Sequence, residues 1–344
     1  MIKTAFSRRS LLKTGAGLAG ALAMPAIVTS SVFAQKGTRT INMQLGWLGG
    51  GNQLGEVAAK HLGYFEEQGL DFAIQVGGPS IDGVAIVASG RYEIGQVSSS
   101  PSLMLAASQG IPVKAFAVSA QEHPYAYISL ASNPIKTPKD MIGKKIGIQA
   151  TGKVLLNALL KKAGIPESDV EVVVIGADMT PLLTGQVHAA TGWLTNTTAI
   201  SAIGQEHVAM KLWDQGVQLY GNPYYATADT LEKDQEMLTG FLKAAGKGWE
   251  YANSNPEAAV DLLLKEFPNL IRDDEIAASK VLLKHIFTPA TAAGGWGTMD
   301  PAVWQGQISL YDELQQFSAG APKLENVISM APLEATAADR PKIG

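Results

Sequence analysis

The chain of 344 residues contains no cysteine. That absence removes disulfides, thiolate metal sites and cysteine nucleophiles in one step. Arginine is nearly as scarce: beyond residue 34 only Arg39, Arg91, Arg272 and Arg340 occur. A bidentate guanidinium clamp for a carboxylate or phosphate has little to draw on, which argues against amino acids and dicarboxylates as ligands. The five histidines, at positions 61, 123, 188, 207 and 285, show no ligand spacing, so neither a metal nor a cofactor is expected. Positive charge is short as well. The chain has 27 basic and 31 acidic residues; four of the basic ones, Lys3, Arg8, Arg9 and Lys13, precede residue 35 with no acid among them, so the remainder carries −8. An acidic chain of this kind disfavours nucleic acid as a partner. After residue 34 no apolar run is long enough to cross a membrane.

What is present begins with Ser7-Arg8-Arg9-Ser10-Leu11-Leu12-Lys13, a short apolar run from Leu18 to Val28, and small residues around Ala34. This is the pattern of a twin-arginine signal peptide over residues 1–34, and predicts an exported, periplasmic protein. The length that remains suits two lobes.

Gly46 to Ser100 reads as strand, helix, strand, helix, strand, with a Gly- or Ser-rich loop after each strand. Thr40–Leu45, Leu70–Val76, Tyr92–Val97 and Val113–Val118 have strand patterning, and Gly55–Leu62 and Asp82–Ser89 have helical patterning. Ser98-Ser99-Ser100-Pro101 announces a further helix. The pattern restarts with strands at Lys145–Ile148, Val170–Ile175 and His188–Gly192, and with helices from Lys153 and from Thr180. From Leu231 to Phe317 it is almost wholly helical. Alternation of this kind predicts mainly parallel, doubly wound α/β sheets. The strandless helical region is expected to return to the first lobe. The organisation expected is lobe one over 39–130, lobe two over 131–222, the return to lobe one over 223–318, and a loosely attached tail over 319–344. Crossings near Tyr127–Ala131 and Leu219–Ala226 would form a hinge.

Four motifs in order carry a resemblance: Gly63-Tyr64-Phe65-Glu66-Glu67-Gln68-Gly69-Leu70-Asp71, Val87-Ala88-Ser89-Gly90-Arg91-Tyr92-Glu93-Ile94-Gly95, Gly110-Ile111-Pro112-Val113, and Pro138-Lys139-Asp140-Met141-Ile142-Gly143-Lys144-Lys145-Ile146-Gly147. Together they resemble the ABC-importer substrate-binding proteins of the nitrate/sulfonate/taurine and thiamine-pyrimidine-precursor family, over about residues 40–318. The resemblance implies a two-lobed type II periplasmic binding protein fold, a small-molecule ligand, a membrane permease as partner, action as a monomer, and no enzymatic activity. Pyrimidine-precursor binders of this family often carry a glutamate in the segment that here reads Gly192-Trp193-Leu194-Thr195-Asn196-Thr197-Thr198-Ala199-Ile200, without the acid.

In such a fold ligands sit at the carboxyl ends of strands. Trp47, Asn52, Ser98, Ser99, Gln121 and His123 are the candidates from lobe one, and Thr151, Lys153, Asp178, Trp193 and Asn196 those from lobe two, with Tyr224 near the return crossing. Trp47 and Trp193 can sandwich a planar ring. Lys153 and Thr151 at a helix start can hold an anion. Asp178 either accepts from a ligand N–H or caps the helix that begins at Thr180. The leading expectation is a planar heteroaromatic such as a pyrimidine or vitamin precursor; the alternative is an anion of the nitrate, sulfonate or taurine type. A pyrimidine-synthase-like enzyme is the remaining reading. Eukaryotic synthases of this fold use iron and a cysteine-rich motif, which a chain without cysteine lacks.

Overall fold

The computed structural model describes residues 38–149, 152–204 and 206–344. The signal-peptide reading of residues 1–34 and the candidate Thr151 lie outside the described residues. The first run of elements is β1 (Arg39–Leu45), α1 (Leu54–His61), β2 (Leu70–Gln75), α2 (Gly83–Ala88), β3 (Ile94–Gln96), α3 (Pro101–Ser108) and β4 (Val113–Ala120). The second is β5 (Tyr125–Leu130), β6 (Lys145–Ile148), α4 (Lys153–Ala163), β7 (Glu171–Val174), α5 (Thr180–Leu183), β8 (Ala189–Trp193), α6 (Thr197–Ser201) and β9 (His207–Lys211). The return comprises β10 (Gly221–Thr227), α7 (Ala228–Lys233), α8 (Gln235–Ser254), α9 (Pro256–Glu266), α10 (Arg272–Ile286), α11 (Pro289–Gly294), α12 (Pro301–Glu313) and α13 (Ala331–Ala335). None of the described helices is long and apolar enough to cross a membrane.

Two five-stranded sheets result, ordered β2-β1-β3-β10-β4 and β7-β6-β8-β5-β9. The orders are equivalent. In each, four strands run one way, and the strand that follows a crossing, β10 or β5, is inserted antiparallel between two of them. The fold is therefore the α/β architecture expected, with an antiparallel strand inside each sheet that sequence patterning does not reveal. β5 belongs to the second sheet, so the first crossing lies at 121–124, before the expected 127–131. The return crossing spans 212–220 and is over before β10, whereas 219–226 was expected.

Rings fasten the return helices to the first sheet. Phe241 of α8 meets Phe65 and Phe72 at 5.8 and 5.9 Å and Phe116 at 6.1 Å, with all four buried. Trp249, Trp296 and Trp304 are wholly buried, which places Trp296 in the core and out of any cleft. The segment after residue 319 is no loose tail. Val327 accepts from the Ala115 N–H, Ser329 donates to the Ala115 carbonyl, and Ile328 forms a parallel bridge beside β4. Arg340 is buried, donating to the carbonyls of Gly295, Trp296 and Leu333. An unpaired sheet edge and a guanidinium with carbonyl partners explain the attachment.

Candidate functional site

The carboxyl ends of β1, β3, β6 and β8 face a common cleft. A cavity of about 350 Å³ is lined by Gly46 and Val97–Ser99 from the first sheet, by Gln149, Gly152 and Trp193 from the second, by His123 and Tyr125 at the first crossing, and by Tyr311 of α12. It adjoins a wider hollow of about 530 Å³ through shared Gly46, Val97 and Ser102, whose far wall is Pro79–Val84. Cavities of several hundred Å³ suit small ligands. No lysine or arginine is among the described residues lining either space.

Local chemistry builds each wall. Asp82 caps α2 by accepting from the Ala85 N–H at 3.0 Å. Gly77 donates to the Trp47 carbonyl at 2.9 Å, and a Cβ there would lie 2.2 Å from the Leu45 carbonyl oxygen, so only glycine lets these two loops meet. Gly152 plays the same part opposite: a Cβ would lie 2.4 Å from the Tyr125 hydroxyl.

The rings at the crossing form one cluster. Trp193 lies 4.5 Å from His123 and 6.3 Å, edge-on, from Tyr125, contacts that hold its half-buried indole at the cavity wall. His123 is 6% exposed and Tyr125 4%; neither imidazole nitrogen has a hydrogen-bond partner, and the phenol has only the Thr191 side chain close by, outside hydrogen-bond geometry. Burial, with His285 nearby, pushes His123 down to about 3, and burial raises the Tyr125 phenol. Both rings are thus uncharged at neutral pH. Beside them, Lys211 pairs with Glu122 at 2.7 Å and Asp214 at 3.3 Å, while the Glu122 carboxylate lies 3.9 Å from His285. The Gln121 and Glu122 amides both donate to the His285 carbonyl, tying the crossing to α10.

The cavity brings together Ser98, Ser99, His123 and Trp193 of the candidates read from sequence. Trp47 is 52% exposed and lines neither space; Leu48, Val76 and Ile81 are exposed as well. Asn52 lines a smaller pocket of about 170 Å³ with Thr195 and Glu275. The others are employed elsewhere. Gln121 is buried and donates to the Thr298 carbonyl at 2.9 Å. Lys153 faces away from the cleft, toward Val172 and Val174 of β7. Asp178 accepts from Thr180, whose hydrogen bonds hold its carboxyl below the usual range, and Asn196 caps α6 through Ala199. Tyr224 is a core residue: its hydroxyl donates to buried Glu56, which also accepts from Gln96 at 3.0 Å. Burial pushes Glu56 up to about 7 against those bonds. Sequence reasoning missed Tyr125 and Tyr311 as cavity residues; the adjacent His123-Pro124 turn was the available signal for Tyr125. No group of three or more His, Asp or Glu able to hold a metal occurs among the described residues.

This is a two-sheet α/β fold with a polar and aromatic cleft where the sheets' carboxyl ends meet. The chain belongs to the family described as NMT1/THI5 like, whose profile matches residues 51–259. It is 25% identical over 295 residues to the formylaminopyrimidine-binding protein of Halalkalibacterium halodurans, covering 83% of this chain and 88% of that one. It is 26% identical over 221 residues to the 4-amino-5-hydroxymethyl-2-methylpyrimidine phosphate synthase of Legionella pneumophila, 62% of this chain and 69% of that one. The periplasmic aliphatic sulphonate binding protein SsuA of Escherichia coli shares the fold at TM-score 0.63 and 17% identity, over 84% of this chain and 97% of that one.

Proposed function

We propose that this is an exported, monomeric substrate-binding protein that holds a small, uncharged heteroaromatic molecule between its sheets and delivers it to an ABC-importer permease. The observation that carries the reading is the cavity itself: an aromatic wall of Trp193, His123 and Tyr125 opposite the serines of the β3 loop, with no cation along its described lining. A planar ring stacked on Trp193 gains about 1 kcal/mol beyond burial, while an anion finds no counter-charge. Kinship with a formylaminopyrimidine-binding protein supports the same ligand class. The two crossings, 121–124 and 212–220, are the natural hinge for closure, and the twin-arginine pattern is consistent with work in the periplasm.

Relatives named as synthases make catalysis the competing reading. The residues offer it little: there is no cysteine, and His123, the histidine on the cavity wall near the β3 serines, has no carboxylate partner to activate a nucleophile. The anion reading is favoured by one observation, the start of α3 with Ser99 and Ser102 at the cleft.

Calorimetric titration of the purified protein with 4-amino-5-hydroxymethyl-2-methylpyrimidine, methanesulfonate, taurine and nitrate separates these. The pyrimidine is expected to bind and to raise the melting temperature by mass action. Trp193→Ala is expected to weaken it by roughly 5- to 30-fold, the equivalent of about 1–2 kcal/mol. Binding confined to sulfonate or nitrate, or turnover of the pyrimidine, would sink the proposal.

A further inference from the structure

Several buried side-chain polar groups lack a hydrogen-bond partner within the protein, and two of them stand on the cavity wall, where a ligand could supply one. They are the His123 imidazole, with neither nitrogen bonded, and the Tyr125 hydroxyl. Both residues are more than nine-tenths buried, both line the same cavity, and their rings lie 6.4 Å apart. Trp193 packs against both, and Gly152 has no side chain to crowd the phenol. By contrast, Tyr224 of β10, which stands opposite the last residue of β3 as Tyr125 stands opposite the last residue of β8, has its hydroxyl bonded to Glu56.

Resting on the ligand class proposed above, we infer that His123 and Tyr125 are the specificity-determining pair, which meets the polar edge of the heterocycle while Trp193 takes its face. A neutral imidazole offers one N–H donor and one lone pair, and a phenol can donate or accept. That set matches an edge with neighbouring donor and acceptor, as in an aminopyrimidine, where a ring nitrogen adjoins an exocyclic amine. The groups around the pair keep it neutral. His285 of α10 opposes a charge on His123, and Lys211 pairs with both Glu122 and Asp214 beside His285. A ligand lacking the amine leaves a buried donor or acceptor unpaired, the strongest form of discrimination available to an uncharged site.

The test compares 4-amino-5-hydroxymethyl-2-methylpyrimidine with its analogue lacking the 4-amino group, by calorimetry, on the unchanged protein, His123→Phe and Tyr125→Phe. The unchanged protein is expected to prefer the amine by at least about tenfold. His123→Phe should weaken binding of the amine about 10- to 100-fold and abolish the preference; Tyr125→Phe should do the same to a smaller degree. Because a variant can fail to fold, ¹⁵N-histidine spectra of the unchanged protein supply a second reading, in which the His123 ring nitrogens should shift on saturation with the pyrimidine. Unaltered affinity and preference in both folded variants, or ring nitrogens unmoved at saturation, would overturn the pair's role and leave the proposed function standing. Failure of the unchanged protein to bind either pyrimidine would overturn that function, and this inference with it.

Discussion

Tyr224 and Tyr125 each lie on the inserted antiparallel strand of their sheet, opposite the last residue of a neighbouring strand, yet they serve opposite ends. In the first sheet Tyr224 stands opposite Gln96, and its hydroxyl closes a buried set of bonds in which Gln53 donates to Gln96 at 2.7 Å and Gln96 to Glu56 at 3.0 Å. The same Gln53 accepts from the Gly50 amide, so the set fixes the glycine loop after β1 from behind. In the second sheet Tyr125 stands opposite Trp193, and its hydroxyl is unbonded at the cavity wall. Around Tyr224 the polar groups are spent on holding a loop in place. Around Tyr125 and His123 they are free beside rings. Shared topology does not predict where a ligand is recognised; an unpartnered polar group on a cavity wall is the better guide.

The largest expected effect concerns the titratable group beside each tyrosine. Glu56 is raised from 4.5 to about 7, so between those values the folded state keeps a proton that the unfolded state releases, and stability falls as pH rises. His123 is lowered from 6.5 to about 3, so between those values the unfolded state takes up a proton that the folded state refuses, and stability is lost as pH falls. Fully expressed, the contributions are about 3 and about 5 kcal/mol. Across their overlap, from pH 4.5 to 6.5, they cancel. Denaturant unfolding against pH should therefore show that Glu56→Gln removes the falling component and His123→Phe the rising one. Variants whose curves run parallel to the unchanged protein's would erase the distinction between the two regions.

A smaller effect is expected from the tyrosines themselves. Tyr224→Phe strips a donor from a buried carboxyl and should cost about 1–3 kcal/mol in unfolding free energy, with pyrimidine affinity nearly intact. Tyr125→Phe removes a hydroxyl that the folded protein does not bond, so stability should hold or rise while affinity falls. Urea midpoints and calorimetry on the same two variants read both quantities. Equal loss of stability in the two would mean that Tyr125 is as structural as Tyr224.

Much of the fold was legible because its signals are local. β1, β2, β6, β7 and β8 lie within two residues of the strands the patterning predicts, and α8 to α12 fall in the stretch read as helical. The inserted strands β5 and β10 were not legible. Nearly every residue in them is buried, so no alternation marks them. β10 also opens with Gly221-Asn222-Pro223, a turn signal in any sequence. The fold accommodates it with Asn222 at φ 49° and a register shift between Tyr224 and Tyr225. The edge strand β9 is short and half exposed. At the candidate site, the rule that ligands sit at strand carboxyl ends pointed to the serine loop and Trp193, which line the cavity. It could not tell which way a helix would present its first residue.

Lys153 shows why, and carries the smallest expected effect. Positions 153, 156, 157 and 160 share one face of α4, which turns toward β7, while Val154 and Leu155 turn to the cleft. The ammonium is thus on the wrong side of its helix to meet a ligand. Asp178 and Asn196 are engaged in local turns and caps on exposed surface. Lys153→Ala, Asp178→Ala and Asn196→Ala should each leave pyrimidine affinity within about twofold of the unchanged protein, as surface changes outside a site do. Calorimetry at low and high salt checks this. A tenfold loss with Lys153→Ala, strongest at low salt, would bring a cation back to the site and shift the balance between the two halves toward an anionic ligand held at the start of α4.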